Sequence, residues 1–173
     1  MKQELEEKLY KQYPWLRPID GFGMDIGDGW YNIIDTLAGY IDMAIKFEND
    51  CVEKYKRDQL LGKTGNWTWK PRDKVFEFPT VHQIKNKMGG LRFYATTPAG
   101  TRYEFNGATH FAESISFTIC EECGNKGHER DNAFIQTLCD DCYIKLAKNS
   151  KRFAKLREWD AKNCVTREKA IKK

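Results

Sequence analysis

Residues 118–142 read TICEECGNKGHERDNAFIQTLCDDC, and the two Cys-x-x-Cys pairs in this stretch, fifteen residues apart, decide how the rest of the chain is read. A thioredoxin-type redox centre needs a single pair opening a helix after a strand, whereas two pairs at C-x2-C-x15-C-x2-C spacing are the pattern of a zinc site. Cys120, Cys123, Cys139 and Cys142 are therefore expected to close a tetrahedral four-thiolate shell, with zinc–sulfur bonds near ~2.3 Å and no position left for water or substrate. Such a site is structural, not catalytic. Gly124 suits a knuckle in which the chain turns sharply and backbone N–H groups approach the sulfurs. His128 lies inside the loop as a substitute ligand, but four cysteines suffice and it reads as a loop residue. Residues 133–138 (AFIQTL) supply one strand of a small hairpin, and the second pair opens a helix through YIKL at 143–146. Knuckle, hairpin and helix together suggest a treble-clef-like finger, with a zinc ribbon as the alternative.

Outward from the finger, the chain has the makings of an ordinary folded protein, with 40% apolar, 31% charged and 13% aromatic residues among 173. That length accommodates one core and a small appendage. Leu5 and Leu9 in a charged setting mark a short amphipathic helix over 2–12 that stops near Pro14. From Trp30 the apolar positions Ile33, Ile34, Leu37, Ile41, Ala44, Ile45, Val52 and Tyr55 recur at steps of three and four, predicting the longest helix over 30–60 with its end near Gly62. Val75, Phe76, Phe78, Val81 and Ile84, then Gly89-Gly90 as a turn ahead of Leu91–Tyr94, predict a small antiparallel sheet across 74–97 packed on that helix. Phe105, Ala108, Phe111, Ala112 and Ile115 return to helical spacing and lead into Cys120. Cys51 and Cys164 sit in helical patterns as isolated packed thiols.

Between the first two helices, 21–29 reads GFGMDIGDG. Glycines ahead of a helix can cradle a phosphate, but the G-x-G-x-x-x-G spacing is neither a dinucleotide fingerprint nor a P-loop, and Asp20, Asp25 and Asp28 repel an anion. The same acids do not follow the calcium-loop order. The segment 20–29 therefore reads as a tight loop, with Asp28 as the N-cap or first-turn acid of the long helix.

Gly27-Asp28-Gly29-Trp30 with Ile34-Asp35 and Leu37, Ile84-Lys85-x-Lys87-x-Gly89-x-Leu91-Arg92-Phe93-Tyr94, Glu113-Ser114, and Cys120-Glu121-x-Cys123-Gly124 with Thr137-Leu138-Cys139-x-x-Cys142 together resemble a family of small proteins found in tailed-phage and prophage genomes. The resemblance spans about residues 14–142. The chain departs from that pattern at Met24-Asp25-Ile26, where the family carries a cysteine, and at Met88, where it carries phenylalanine. The family has no assigned activity, so the resemblance implies a setting, an accessory protein acting inside a bacterial host, and no catalytic residues.

Charge is unevenly spread. Lys and Arg stand against Asp and Glu at 8 to 12 in 1–62, 8 to 4 in 63–119, 2 to 6 in 120–142 and 11 to 3 in 143–173. An acidic finger thus precedes a basic C-terminal helix in which Lys145, Lys148, Lys151, Arg152, Lys155 and Arg157 are candidate phosphate contacts, with Phe153 and Trp159 to pack or stack. The blander reading makes those lysines a solvated face. Trp67 and Trp69 in GNWTWKPR are candidate anchors for a partner protein, or alternatively a hairpin edge packed on the core. For an enzyme, H-E-x-x-H, G-x-S-x-G and P-loop motifs are all missing from the sequence. A hydrolase or nuclease centre would have to be folded together from Asp20, Asp25, Asp28 and His82, and nucleotide sequestration would fall to Lys85, Arg92 and Arg102. No apolar run approaches the roughly 18 residues of a membrane span, and the charged N-terminus is unlike a signal peptide, so a cytoplasmic setting in the host is expected.

The expectation is an α+β protein: a long amphipathic helix on a small antiparallel sheet over 1–118, then a treble-clef-like or ribbon-like four-cysteine zinc finger with a basic C-terminal helix over 119–173. It is expected to act without catalysis as a binding module on a host protein, inhibition of a host function or defence system being the role such binding would serve. Nucleic-acid binding through the basic helix is the alternative.

Overall fold

The computed structural model describes residues 1–63, 65, 67–68, 70–71, 76–98, 102–130 and 134–149. Trp69, Val75, Cys164 and the basic positions Lys151, Arg152, Lys155 and Arg157 lie outside the described residues, as does the side chain of Arg102. The architecture is α+β. Helix α1 (Gln3–Gln12) leads through a 3-10 turn (Pro14–Leu16) to the short strand β1 (Met24–Asp25), a second 3-10 turn (Asp28–Trp30) and the long helix α2 (Tyr31–Leu60). Strands β2 (Thr80–Lys87) and β3 (Gly90–Thr96) and helix α3 (Arg102–Ser116) follow. The finger is then built from β4 (His128–Arg130), β5 (Gln136–Leu138) and α4 (Asp140–Asn149).

The apolar stripe of α2 is the main core face, with Ile33, Ile34, Leu37, Ala38, Ile41 and Ile45 buried along it. Leu9 of α1, Val81 and Ile84 of β2 and Leu91 of β3 close the same cluster. The helix ends in a Schellman arrangement: Gly62, at φ +67°, donates to Gln59 O (3.1 Å) and Lys63 donates to Asp58 O (2.9 Å). The return toward the sheet is pinned by the Asn49 amide, which accepts from Phe76 N (2.6 Å) and donates to Phe76 O (3.0 Å).

Three details differ from the sequence expectation. The sheet is mixed, not purely antiparallel: β1 pairs in parallel with β2, placing Met24 opposite Ile84 and Asp25 opposite Lys85, on the far side of β2 from its antiparallel partner β3. Part of the 20–29 loop is therefore an edge strand. The β2–β3 turn is Met88-Gly89, both at positive φ (56° and 77°), the signature of a type I′ hairpin. Gly90 already belongs to β3 and serves packing, since a methyl group there would lie 2.2 Å from the Phe117 ring. Asp28 opens the second 3-10 turn without capping α2: Trp30 occupies the cap position with no side-chain bond, and the Asp28 carboxylate instead pairs with Lys2 Nζ at 2.8 Å.

The finger sits directly on this scaffold. Gly29 N donates to Glu121 O (2.7 Å), the buried Trp30 indole donates to Ile119 O (2.8 Å), and Thr137 Oγ1 donates to Gly89 O at the hairpin turn (2.7 Å).

Candidate metal centre

Cys120, Cys123, Cys139 and Cys142 converge with all their Sγ atoms within 4.8 Å of one another, an arrangement that can hold a metal ion. All four are free thiols. The Cys123–Cys139 sulfur separation is 3.6 Å, close to the roughly 3.8 Å edge of a sulfur tetrahedron at a bond length of about 2.3 Å.

Local sequence builds each half of the cluster. The first pair sits in a knuckle held by Cys120 N donating to Asn125 O (2.7 Å) and Gly124 N donating to Cys120 O (2.9 Å), with Gly124 at φ +77° as the turn requires. The second pair straddles the junction of β5 and α4. Cys139 follows the strand, Cys142 lies in the first helical turn, and Cys142 N points at Cys139 Sγ (3.4 Å). That N–H holds the Cys139 thiol down at about 7, nearer to ionisation than an ordinary cysteine. Burial pushes the Cys120 thiol up, against N–H groups of Cys139, Cys123 and Glu122, and burial also pushes up Cys142. Four thiols in one small volume cannot all ionise alone; a divalent cation relieves that conflict.

His128 is not part of the sulfur cluster. It lies in β4, exposed, with Nε2 3.9 Å from Asp140 Oδ1. The residues around the cysteines that sequence reasoning missed are Glu121 and Arg130. Glu121 is buried, its carboxylate accepting from Gly27 N (3.2 Å) and from the Asn86 amide. Burial raises its pKa, while Asn86, Gly27 and Gln136 oppose the rise. Arg130 ties the hairpin to α4: it contacts the Asp140 carboxylate, donates to Leu138 O (3.3 Å) and lies 4.6 Å from the Tyr143 ring centre. The cysteine spacing carried no hint of either role.

Other candidates fall elsewhere. Asp20 and His82 line one open cleft, Asp25 is exposed on β1 and Asp28 is paired with Lys2, so these residues do not converge; among the described residues, the four cysteines are the only group of three or more His, Cys, Asp or Glu placed to share an ion. Lys85 lies over the Tyr94 ring (5.4 Å), and Arg92 is 3.8 Å from Glu113 Oε2. Trp67 is half-buried, its N–H on Asp58 Oδ2 (2.9 Å) and its ring edge-on to Tyr55, which makes it part of the α2 packing. Lys145 and Lys148 are exposed on α4, and Cys51 is half-buried in α2. Among the described residues, no helix is long and apolar enough to cross a membrane.

Comparison of the chain with protein-family models, curated proteins and solved structures finds no match.

Proposed function

We propose that this chain is a non-enzymatic binding module whose finger is fixed by a structural zinc ion, an accessory protein of phage or prophage type that acts in the host cytoplasm by engaging a host protein. The observation that carries the reading is the closed set of four cysteine sulfurs within 4.8 Å. All-thiolate coordination favours zinc and leaves no open coordination position for chemistry. The order of knuckle, β4–β5 hairpin and a ligand in the first turn of α4 supports a treble-clef-like finger over a ribbon. Zinc would draw these elements together; the chain's own residues supply the thiolates and the Cys142 N–H that favours the ionised form of Cys139.

A protein partner is preferred because the finger's surface is acidic: Glu122, Glu129, Asp140 and Asp141 are exposed and repel phosphate. Glu121, which the sequence alone would add to that surface, is buried and does not contribute. Inhibition of a host function or defence system is the role such a partner would give it. The nucleic-acid reading draws on the 11 Lys and Arg against 3 Asp and Glu of 143–173, of which Lys145 and Lys148 are exposed on α4.

Metal analysis of the purified chain is expected to give about one zinc ion per molecule, and Cys139→Ser is expected to lose both metal and the fold of 118–149. Unchanged metal content and unfolding in that variant would falsify the zinc site. Recovery of the tagged chain from host cells, with and without nuclease, separates the partners. A nuclease-resistant protein supports the preferred reading; nuclease-sensitive nucleic acid supports the alternative.

A further inference from the structure

On the side of the sheet away from the core, the loop 19–23 and strands β2 and β3 enclose an open cleft of about 530 Å³ lined by Ile19, Asp20, Phe22, His82, Gln83 and Tyr94. The most exposed of its large apolar side chains is Phe22, at 87%, with Ile19 at 67% and Tyr94 at 39% beside it. Nothing in the core requires an aromatic there, yet the turn that presents it is held from both sides. Ile19 N donates to Val81 O (3.0 Å), Phe22 N donates to Asp20 Oδ1 (3.1 Å), Met24 N donates to Glu6 Oε1 (3.1 Å), and the glycines flanking Phe22 adopt φ +76° and +73°. A large apolar side chain held out into solvent on a defined turn is how rigid scaffolds present binding residues.

We propose that this cleft is a docking site for a partner protein, and that its occupant is an arginine or lysine side chain with an apolar neighbour. The proposal rests on the protein-binding reading above and gives it a surface. The cleft is too open to bury most of a small ligand, as small-molecule sites do. Its lining holds one carboxylate, Asp20, and neither lysine nor arginine. Among the described residues Asp20 has no ion-pair partner. Asp25, the other exposed acid nearby, stands opposite Lys85 in the β1–β2 register, and Lys85 itself lies 5.4 Å from the Tyr94 ring centre. The unpaired Asp20 carboxylate favours a cation over phosphate, and the apolar surface of Ile19 and Phe22 beside it favours a cation with an apolar stem, guanidinium above all, Lys85 already lying against the Tyr94 ring. Phe22 then packs on the apolar neighbour of that cation. This places the aromatic anchor in the 20–29 loop, whereas Trp67 is engaged by Asp58 and Tyr55.

The test is selection of peptides from a random displayed library on the metal-loaded full chain, followed by titration of the selected peptides against wild type, Phe22→Ala and Asp20→Asn. Asparagine keeps the oxygen that accepts from Phe22 N while removing the charge. Selected peptides are expected to carry Arg or Lys beside an apolar residue and to bind Phe22→Ala at least about tenfold more weakly. Binding to Asp20→Asn should fall several-fold, with a smaller salt dependence, and neither variant should change thermal unfolding. Peptides lacking a basic residue, peptides indifferent to both substitutions, or failure to select any peptide would overturn the proposal. So would two other occupants: oligothymidylate bound by wild type and lost in Phe22→Ala, or self-association on sedimentation abolished by that substitution. A host protein recovered equally by wild type and Phe22→Ala removes this docking site and leaves the binding-module reading standing. Absence of any host protein with wild type counts against that reading itself.

Discussion

The glycine- and aspartate-rich segment 20–30 contains two halves of similar composition with opposite fates. Residues 20–23 end as a surface turn with Phe22 87% exposed; residues 27–30 lie under the finger with Trp30 at 0%. A methyl group at Gly21 would meet nothing within 4 Å, whereas one at Gly29 would lie 2.2 Å from Cys120 O and 2.4 Å from Gly124 N. Glycine at 21 is therefore required for conformation, at φ +76°, and glycine at 29 for space. The difference comes from what covers each half: the knuckle covers 27–30, whereas 20–22 face solvent and only Gly23 lies against the Glu6 side chain. In this protein the four-cysteine cluster and the first loop form one structural unit across some ninety residues of sequence, as the 2.7 Å bond from Gly29 N to Glu121 O shows.

The largest effect expected from this contrast follows metal withdrawal. Structural zinc supplies an apparent binding free energy on the order of 10 kcal/mol in isolated fingers, and that energy is folding energy. Chelation should abolish amide protection across 118–149 and then at Gly29, whose acceptor belongs to the finger, while the buried stretch of α2 from Ile33 to Ile45 retains protection. Hydrogen exchange read by mass spectrometry gives the answer peptide by peptide. Loss of protection in 20–23 to the same degree as in 27–30 would break the division between the halves.

Next in size is Gly29→Ala. The atoms it would strike are backbone of the knuckle, which cannot rotate away, so a loss of about 2–3 kcal/mol is expected together with weaker metal retention. Gly21→Ala meets only the cost of a left-handed backbone, about 1 kcal/mol, with metal retention unchanged. Denaturant midpoints with equal slopes measure both. Equal losses for the two would mean that conformation, and not the seat of the finger, governs position 29.

Much of this was legible because it is local. The α2 stripe repeats within a single helix, and Cys-x-x-Cys with Gly124 specifies its knuckle within a few residues. What escaped notice depends on distant partners. Strand β1 is two residues long in a glycine-rich setting, and its pairing with Ile84 and Lys85 has no local periodicity to announce it. Glu121 looked like one more acid on an acidic finger; only the approach of Gly27 N and Asn86 makes it a buried acceptor. Trp67 and Phe22 show the same limit, since sequence identifies aromatics but not which of them the fold leaves uncovered.

The smallest effect belongs to Asp28, which lies within the inner half. Its carboxyl is held below the usual range, first by the hydrogen bond from the Lys2 side chain. A carboxyl depressed in the folded state contributes stability that is present above its unfolded value of 3.8 and is lost as pH falls through the lower folded value. Lys2 is well exposed, so water and salt screen the pair and the contribution is small. Asp28→Asn keeps an oxygen for Lys2 N, which donates at 2.8 Å, and removes only the charge. The stability difference between wild type and variant, in which thiol protonation cancels, should be near zero at neutral pH in about 0.5 M salt. At low salt it should be slight, should begin to shrink only below pH 3.8, and should vanish as pH falls through the lower folded value. A loss at neutral pH as large as that of Gly29→Ala would reverse the order of causes: the ion pair to Lys2, and not the knuckle pressing on Gly29, would then be what seats the inner half of the loop.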